Sequence, residues 1–295
     1  MSTQATVQLL FVALAVVMAG LGLSLELADF RRAFGERRAV LIALTLQMVI
    51  LPLVALLIAV ALRLPTPYAV GLMLLAAAPG SISSNLYSHV FGGNVALNVT
   101  LTGVNTALSL FTLPLICSWS LSYFASRDTA MPSITGKLVE TMASLVIPVI
   151  LGMAVRARFP AFATRADKAM RIFSVLVLVL FSAGAIVKEW QSLIRGFTEV
   201  GGSVVLFNLL SLGLGYGFSQ LWGLDRGNGI AITFQLGIRS AVLSMYVAMT
   251  TLGDTQFALP AAVYSITMVL FGLSFGMWIR GRSRAPAGEP VLGDG

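Results

Sequence analysis

Apolar runs long enough to cross a bilayer recur along this chain, and that recurrence limits its possible folds more than any single motif. A spanning helix needs about 20 consecutive, predominantly apolar residues. Nine stretches qualify, at approximately 5–25, 38–62, 67–90, 94–124, 135–156, 170–187, 200–221, 227–250 and 257–280. No water is available in hydrocarbon to satisfy backbone groups, so segments of this length are expected to be helical. The expected fold class is an all-α polytopic membrane protein with about nine transmembrane helices. Composition agrees: 11% of residues are charged and mean hydropathy is +0.91, against about 25% charged residues in an ordinary soluble domain. Nothing basic precedes Arg31, so the first run lacks the positive region of a cleaved signal and is read as a retained span.

Short connections imply one transmembrane domain over 1–280, followed by a Gly/Pro-rich tail, 281–295, expected to be disordered and cytoplasmic. Orientation follows from the basic residues. With the N-terminus outside, the cytoplasmic loops hold Arg31, Arg32, Arg37, Arg38, Arg156, Arg158, Arg165, Lys168, Arg171, Arg226, Arg280, Arg282 and Arg284. The outer loops hold only Arg63, Arg127, Lys137, Lys188 and Arg195. This positive-inside bias places a multi-pass protein in the plasma membrane, of bacterial inner-membrane type, with the C-terminus in the cytoplasm. The basic residues form no groove-sized patch, so the net charge of +7 does not indicate a nucleic-acid partner. The lipid bilayer is the expected solvent. A single Cys117 and a single His89 argue against a disulfide framework and against a zinc or haem site, and no cofactor is expected. Cys117 reads as packing, His89 as an interfacial polar residue, the scattered methionines as core filler, and Trp119, Trp190, Trp222 and Trp278 as an interfacial belt.

Two of the nine spans are not ordinary helices. The third reads TPYAVGLMLLAAAPGSISSNLYSHV, in which Pro79-Gly80 precede Ser81, Ser83, Ser84 and Asn85. Proline removes a backbone donor, and glycine offers no steric bar to unwinding. The eighth reads NGIAITFQLGIRSAVLSMYVAM, with Gln235, Gly237, Arg239 and Ser240 at its centre. An Ala-Leu-containing span with Ser and Thr residues follows each break, which suggests a weak internal repeat. Counting spans makes the third and eighth run in opposite senses, so the repeats are inverted. Inverted repeats with discontinuous helices are the architecture of alternating-access transporters, which bind substrate at the breaks.

Gln47, Ser84, Asn85, Asn98 and Thr102 place oxygens in otherwise apolar spans, Asn98 and Thr102 sharing a helix face. Such groups either ligate a hard cation or merely join helices. Arg239 is the basic residue that falls in mid-span. A charge there costs about 2.5–3.5 kcal/mol on insertion scales. No Asp or Glu lies near the middle of any span, so freed carbonyls, the Gln47 and Gln235 oxygens or a bound anion must compensate it. Two roles stay open for Arg239: a structural one on carbonyls, and contact with substrate or replacement of an ion. A membrane enzyme would need an acid, a metal cluster or an activated nucleophile at depth, which these spans lack; the chain is read as a non-enzyme.

With these residues in view, the chain resembles the bile acid:sodium symporter family along nearly its whole length. MAGLGLSLELADFRRAF resembles the family's first shared helix and turn, LTLQMVILPL its Gln-then-Pro pattern, and APGSISSNLYSHVFGGNVALNVTLTGVNTALSLFTLPL its most specific block. FQLGIRSAVLS falls where the family has its second crossover helix. The resemblance implies panel and core subdomains, interleaved in sequence, with the two broken helices crossing in the core; this chain is similar to the nine-span form. It also implies one sodium site of Ser84, Asn85, Asn98 and Thr102 with an acid on the second crossover helix. A second would use Gln47, that acid and a Gln four residues later. Against the family's Glu-x-Gly-x-Gln-Asn, however, this chain has Gln235-Leu236-Gly237-Ile238-Arg239-Ser240. The shared carboxylate has become an amide and the later glutamine an arginine. One carboxylate plus two sodium ions would give the same net charge as a neutral Gln235 plus Arg239, so the arginine could imitate the ion-loaded state. Sodium is the only ion implied, and these departures weigh against it.

The expected function is secondary transport of an organic anion, a carboxylate or a sulfonated or steroid-like acid, by alternating access. Arg239, Ser240, Asn105, Pro79 and Gly80 are the expected substrate contacts. The alternatives are a non-transporting anion sensor on the same fold and a sodium symporter using only the first ion site.

Overall fold

The computed structural model describes residues 19–20, 22–23, 35–124, 147–159, 161–162 and 197–282. The described residues are helical apart from short turns and breaks. Helix α1 covers Arg37–Ala61, α2 Thr66–Ala77, α3 Ser83–Phe91, α4 Val95–Phe124, α5 Gly201–Leu221, α6 Arg226–Gly237, α7 Ala241–Val247 and α8 Leu259–Arg282. Among the described residues four helical stretches, Arg37–Ala61, Val95–Phe124, Gly201–Leu221 and Thr255–Gly281, are long and apolar enough to cross a membrane. The expected spans at 38–62, 94–124, 200–221 and 257–280 correspond to them. The spans at 67–90 and 227–250 are each interrupted, into α2 plus α3 and into α6 plus α7. The span at 170–187 lies outside the described residues, as do most of 5–25, the first part of 135–156 and residues 283–295 of the expected tail. Gly281 and Arg282, assigned to that tail from sequence, belong to the last turn of α8.

Local chemistry explains the interruptions. α2 ends at Ala77, where Ala78 turns extended at ψ 146°, because the residue before a proline is pushed out of the helical region. α6 ends at Gly237, where Ile238 is likewise extended. Within α1 the backbone widens into a π turn over Leu46–Ile50, and Leu51 N–H reaches back to Leu46 O. Pro52 follows at once, and the wider turn accommodates a residue with no donor of its own and a ring that crowds the preceding turn.

The structure bears the repeat out in hydrogen bonds as well as in order. After α1, the N–H groups of Leu62, Arg63 and Leu64 donate to Ile58 O, Val60 O and Ala59 O; after α5, those of Trp222, Gly223 and Leu224 donate to Phe218 O, Gln220 O and Ser219 O. Arg63 and Gly223 both have positive φ, 50° and 61°. The second half of each broken helix stops at a left-handed glycine, Gly92 and Gly253, a conformation in which a Cβ would be strained. The two halves also exchange partners at their ends. The Tyr68 hydroxyl at the start of α2 donates to Glu199, just before α5. Asn228 Nδ2 at the start of α6 donates to Glu36, just before α1, at 3.2 Å.

α5 packs along α6, α4 along α2, and α8 against α5, α2 and α7. Their shared core includes Leu46, Leu51, Met73, Leu101, Phe207, Leu236 and Tyr264. Outward faces are apolar too: Leu41, Val49, Leu53 and Leu57 of α1 are each about half exposed or more. In water such a stripe would be a liability, whereas lipid is as apolar as leucine. Ala19, Gly22 and Leu23 lie against the helix of 147–158, where Arg156 Nη1 donates to Leu23 O at 2.8 Å.

Candidate functional site

The two breaks meet. Gly80 and Arg239 form an antiparallel bridge, flanked by reciprocal bonds from Ser81 N to Ile238 O (2.8 Å) and from Ser240 N to Pro79 O (2.9 Å). Each unwound strand therefore supplies the partner that the other lost on leaving its helix, which is the condition for irregular backbone at membrane depth. Gly80 is required there by contact: a Cβ would collide with the Gln235 side chain and carbonyl.

Helices α2 and α6 both end at this crossing, and the partial negative charges of their last carbonyls converge on it. These carbonyls are capped unequally. At the end of α2, Arg239 Nε donates to Leu75 O at 2.9 Å, and its Nη2 donates to Ala76 O and, at 2.5 Å, to Ala78 O. Gln47 Nε2, on the π turn of α1, donates to Ala78 O at 3.0 Å. At the end of α6, Gly237 O accepts from Asn208 Nδ2 (3.2 Å) and from the Tyr264 hydroxyl (2.8 Å). A guanidinium and an amide thus cap the first break; an amide and a phenol cap the second. Arg239 is fully buried and is the single charged side chain among the described buried residues. Charge-assisted hydrogen bonds contribute about 1.5–3 kcal/mol each, enough for three of them to offset the insertion penalty.

Beside the crossing lies a set of neutral oxygens. Ser84 Oγ is 3.0 Å from Gln235 Oε1 and 3.3 Å from Asn98 Oδ1; Thr102 Oγ1 is 3.1 Å from Gln235 Oε1 and 2.9 Å from Asn98 O. Asn98 Nδ2 donates to Ser88 Oγ at 2.6 Å. The structure therefore gathers Ser84, Asn98, Thr102 and Gln235, four of the expected ion-site residues. Each hydroxyl has one proton and both face the Gln235 oxygen, so the set is closed by hydrogen bonds and carries no negative charge. Asn85 is only half-buried, and its Oδ1 has no hydrogen-bond partner. Gln47 is not part of this set and stands on the Arg239 side.

Of the expected substrate contacts, Pro79, Gly80, Arg239 and Ser240 form the crossing itself. Ser240 and Ser81 are half-buried and Ser83 is exposed, while Arg239 is at 0% exposure. Asn105 on α4 is fully buried, with neither polar side-chain atom hydrogen-bonded. Arg239 Nη1, Gln47 Oε1 and Gln235 Nε2 are also buried without partners. Of the compensating groups weighed for Arg239, the freed carbonyls take the role; Gln47 contributes a donor to the same carbonyl instead of an acceptor to the arginine.

Sequence reasoning missed Asn208, Tyr264 and Ser88. Asn208 had a signal, as an amide in the otherwise apolar middle of α5, the counterpart of Gln47 in α1. Tyr264 and Ser88 had none, because their partners lie on other helices or on a face that only the packing defines.

The Sodium Bile acid symporter family matches residues 11–195, a stretch that includes the first break and stops before the second. The chain is 27% identical over 270 residues to "Probable sodium/metabolite cotransporter BASS1, chloroplastic" of Arabidopsis thaliana, covering 91% of this chain and 66% of that protein. It is 27% identical over 282 residues to "Probable sodium/metabolite cotransporter BASS2, chloroplastic" of Oryza sativa subsp. japonica, covering 96% and 66%. It is 28% identical over 260 residues to "Uncharacterized sodium-dependent transporter YocS" of Bacillus subtilis (strain 168), covering 88% and 79%. The chain thus spans just under two thirds of the length of the plant relatives. These relatives are named as transporters and none as an enzyme. With two interrupted helices crossing inside a repeated, lipid-compatible bundle, and with the match covering more than half its length, the chain is a multi-pass membrane protein that belongs to the sodium bile acid symporter family.

Proposed function

We propose that this protein carries a small organic anion across the plasma membrane by alternating access, binding it at the crossing of the two broken helices. The observation that carries this reading is the buried Arg239, whose positive charge faces no carboxylate among the described buried residues. A cation in a low-dielectric core creates a positive potential that extends beyond its hydrogen bonds. Ser81 and Ser240 at the crossing are half-buried and Ser83 beside it is exposed, and their hydroxyls can donate to a carboxylate or sulfonate without a desolvated charge at the contact. The first turns of α3 and α7 begin at the same place, and helix N-termini favour anions. Asn105, buried with both polar atoms free of partners, is proposed to order substrate or substrate-bridging water. The small-molecule partner is therefore an anion, held by hydroxyls at the crossing in the field of a fixed, buried cation.

The test is uptake into proteoliposomes containing the purified full chain, screened over labelled carboxylates, sulfonates and steroid acids. Saturable uptake and counterflow of at least one anion, absent from empty vesicles, is the expected result. Selective uptake of cations or neutral solutes would overturn the reading. Saturable anion binding without counterflow would favour a sensor on the same fold.

A further inference from the structure

Relatives of this chain carry sodium in their names, yet the charged group at the crossing of this protein is covalently attached. We propose that Arg239 is a tethered cation: its guanidinium fills the space between the last carbonyls of the first break, from Leu75 to Ala78, and Gln47 that a mobile sodium ion would otherwise have to fill, and this frees transport from sodium. The inference concerns the ion and rests on the family architecture, not on the identity of the anion.

The geometry sets out the competition. Leu75 O, Ala76 O and Ala78 O all accept from Arg239, and Gln47 Oε1 lies buried and unbonded on the residue whose amide nitrogen shares Ala78 O. Four neutral oxygens of that kind suit a hard monovalent cation. A guanidinium already spans three of them, so a sodium ion would have to displace those bonds and sit beside a fixed positive charge. Nothing anionic among the described buried residues would offset the repulsion. The neutral set of Ser84, Asn98, Thr102 and Gln235 does not restore the balance, because the Gln235 oxygen is an amide already approached by two hydroxyls.

A mobile ion and a tethered one differ in consequence. An ion that must bind before the crossing closes adds its gradient to the transport cycle. A tethered arginine keeps the carbonyls capped in every state, so the cycle runs on the anion gradient alone, by facilitated diffusion or by exchange. The bond from Arg239 to α2 also crosses from one repeat to the other, holding the halves of the crossing together without a ligand.

The test uses the purified full chain in detergent and sodium itself as the probe. Thermal unfolding is followed in sodium chloride against choline chloride at equal ionic strength, for wild type, Arg239→Gln and Gln235→Glu/Arg239→Gln. The wild-type midpoint should be the same in both salts. Arg239→Gln should unfold earlier in choline, and the double variant should gain roughly 5 °C or more in saturating sodium, as linkage to a newly formed ion site requires. Folded variants whose sodium response equals that of wild type would overturn the proposal. Should neither variant fold, the wild type decides: a saturable, sodium-specific rise in its midpoint overturns the proposal, and a flat response to sodium supports it. None of these readings needs a substrate, so failure here is distinguishable from failure of the anion reading.

Discussion

The two breaks solve one problem with different chemistry. Each ends a helix in the apolar core and leaves carbonyls that need donors. The break after α6 is capped by Asn208 and Tyr264, two neutral side chains converging on one carbonyl, Gly237 O. The break after α2 is capped by Gln47 and by Arg239, which reaches across from the opposite break to three carbonyls. Gln47 and Asn208 are repeat-equivalent amides doing the same task, so the asymmetry reduces to one residue. Neutral caps only satisfy a helix end, whereas a charged cap also fixes the electrostatics of the site, and the anion reading follows from that difference.

The largest effect expected from breaking this asymmetry is at Arg239. Arg239→Met keeps length and apolar bulk but removes the guanidinium's bonds to three carbonyls, of which Ala78 O keeps Gln47 Nε2 and Leu75 O keeps the Ala78 N–H, and should destabilise the fold by about 2–5 kcal/mol, after allowance for the buried charge it removes. Urea or thermal unfolding in detergent measures this; a cost no greater than that of Tyr264→Phe would erase the distinction between the caps. Next comes Gly80→Ala, which forces a methyl into the Gln235 amide and backbone. It should cost about 1–3 kcal/mol and abolish uptake even where folded protein is recovered. Tyr264→Phe should cost only about 1 kcal/mol, because Asn208 still donates to Gly237 O. Its double-mutant cycle with Asn208→Ala should then show coupling, since the two share an acceptor. Smallest is Gln47→Leu, expected at about 0.5–1 kcal/mol, with Arg239 still on Ala78 O.

Much of this was legible in the sequence for physical reasons. Apolar runs fix where helices cross a bilayer, and Pro79-Gly80 marks a break because proline and glycine act on the backbone locally. The side of Asn98 and Thr102 was legible because helical spacing places them together. What could not be read is who caps whom. The partners of Arg239 lie on the other broken helix, and Tyr264 reaches Gly237 from a separate span. No local rule encodes such contacts. The π turn at Gln47 also escaped, although Pro52 gave a reason for one.

Counterflow of a transported anion in proteoliposomes, with equal sodium or equal choline on both sides, tests the central claim most directly. The account predicts equal rates in the two salts for the wild type and sodium stimulation for Gln235→Glu/Arg239→Gln. Sodium-stimulated counterflow by the wild type would contradict it.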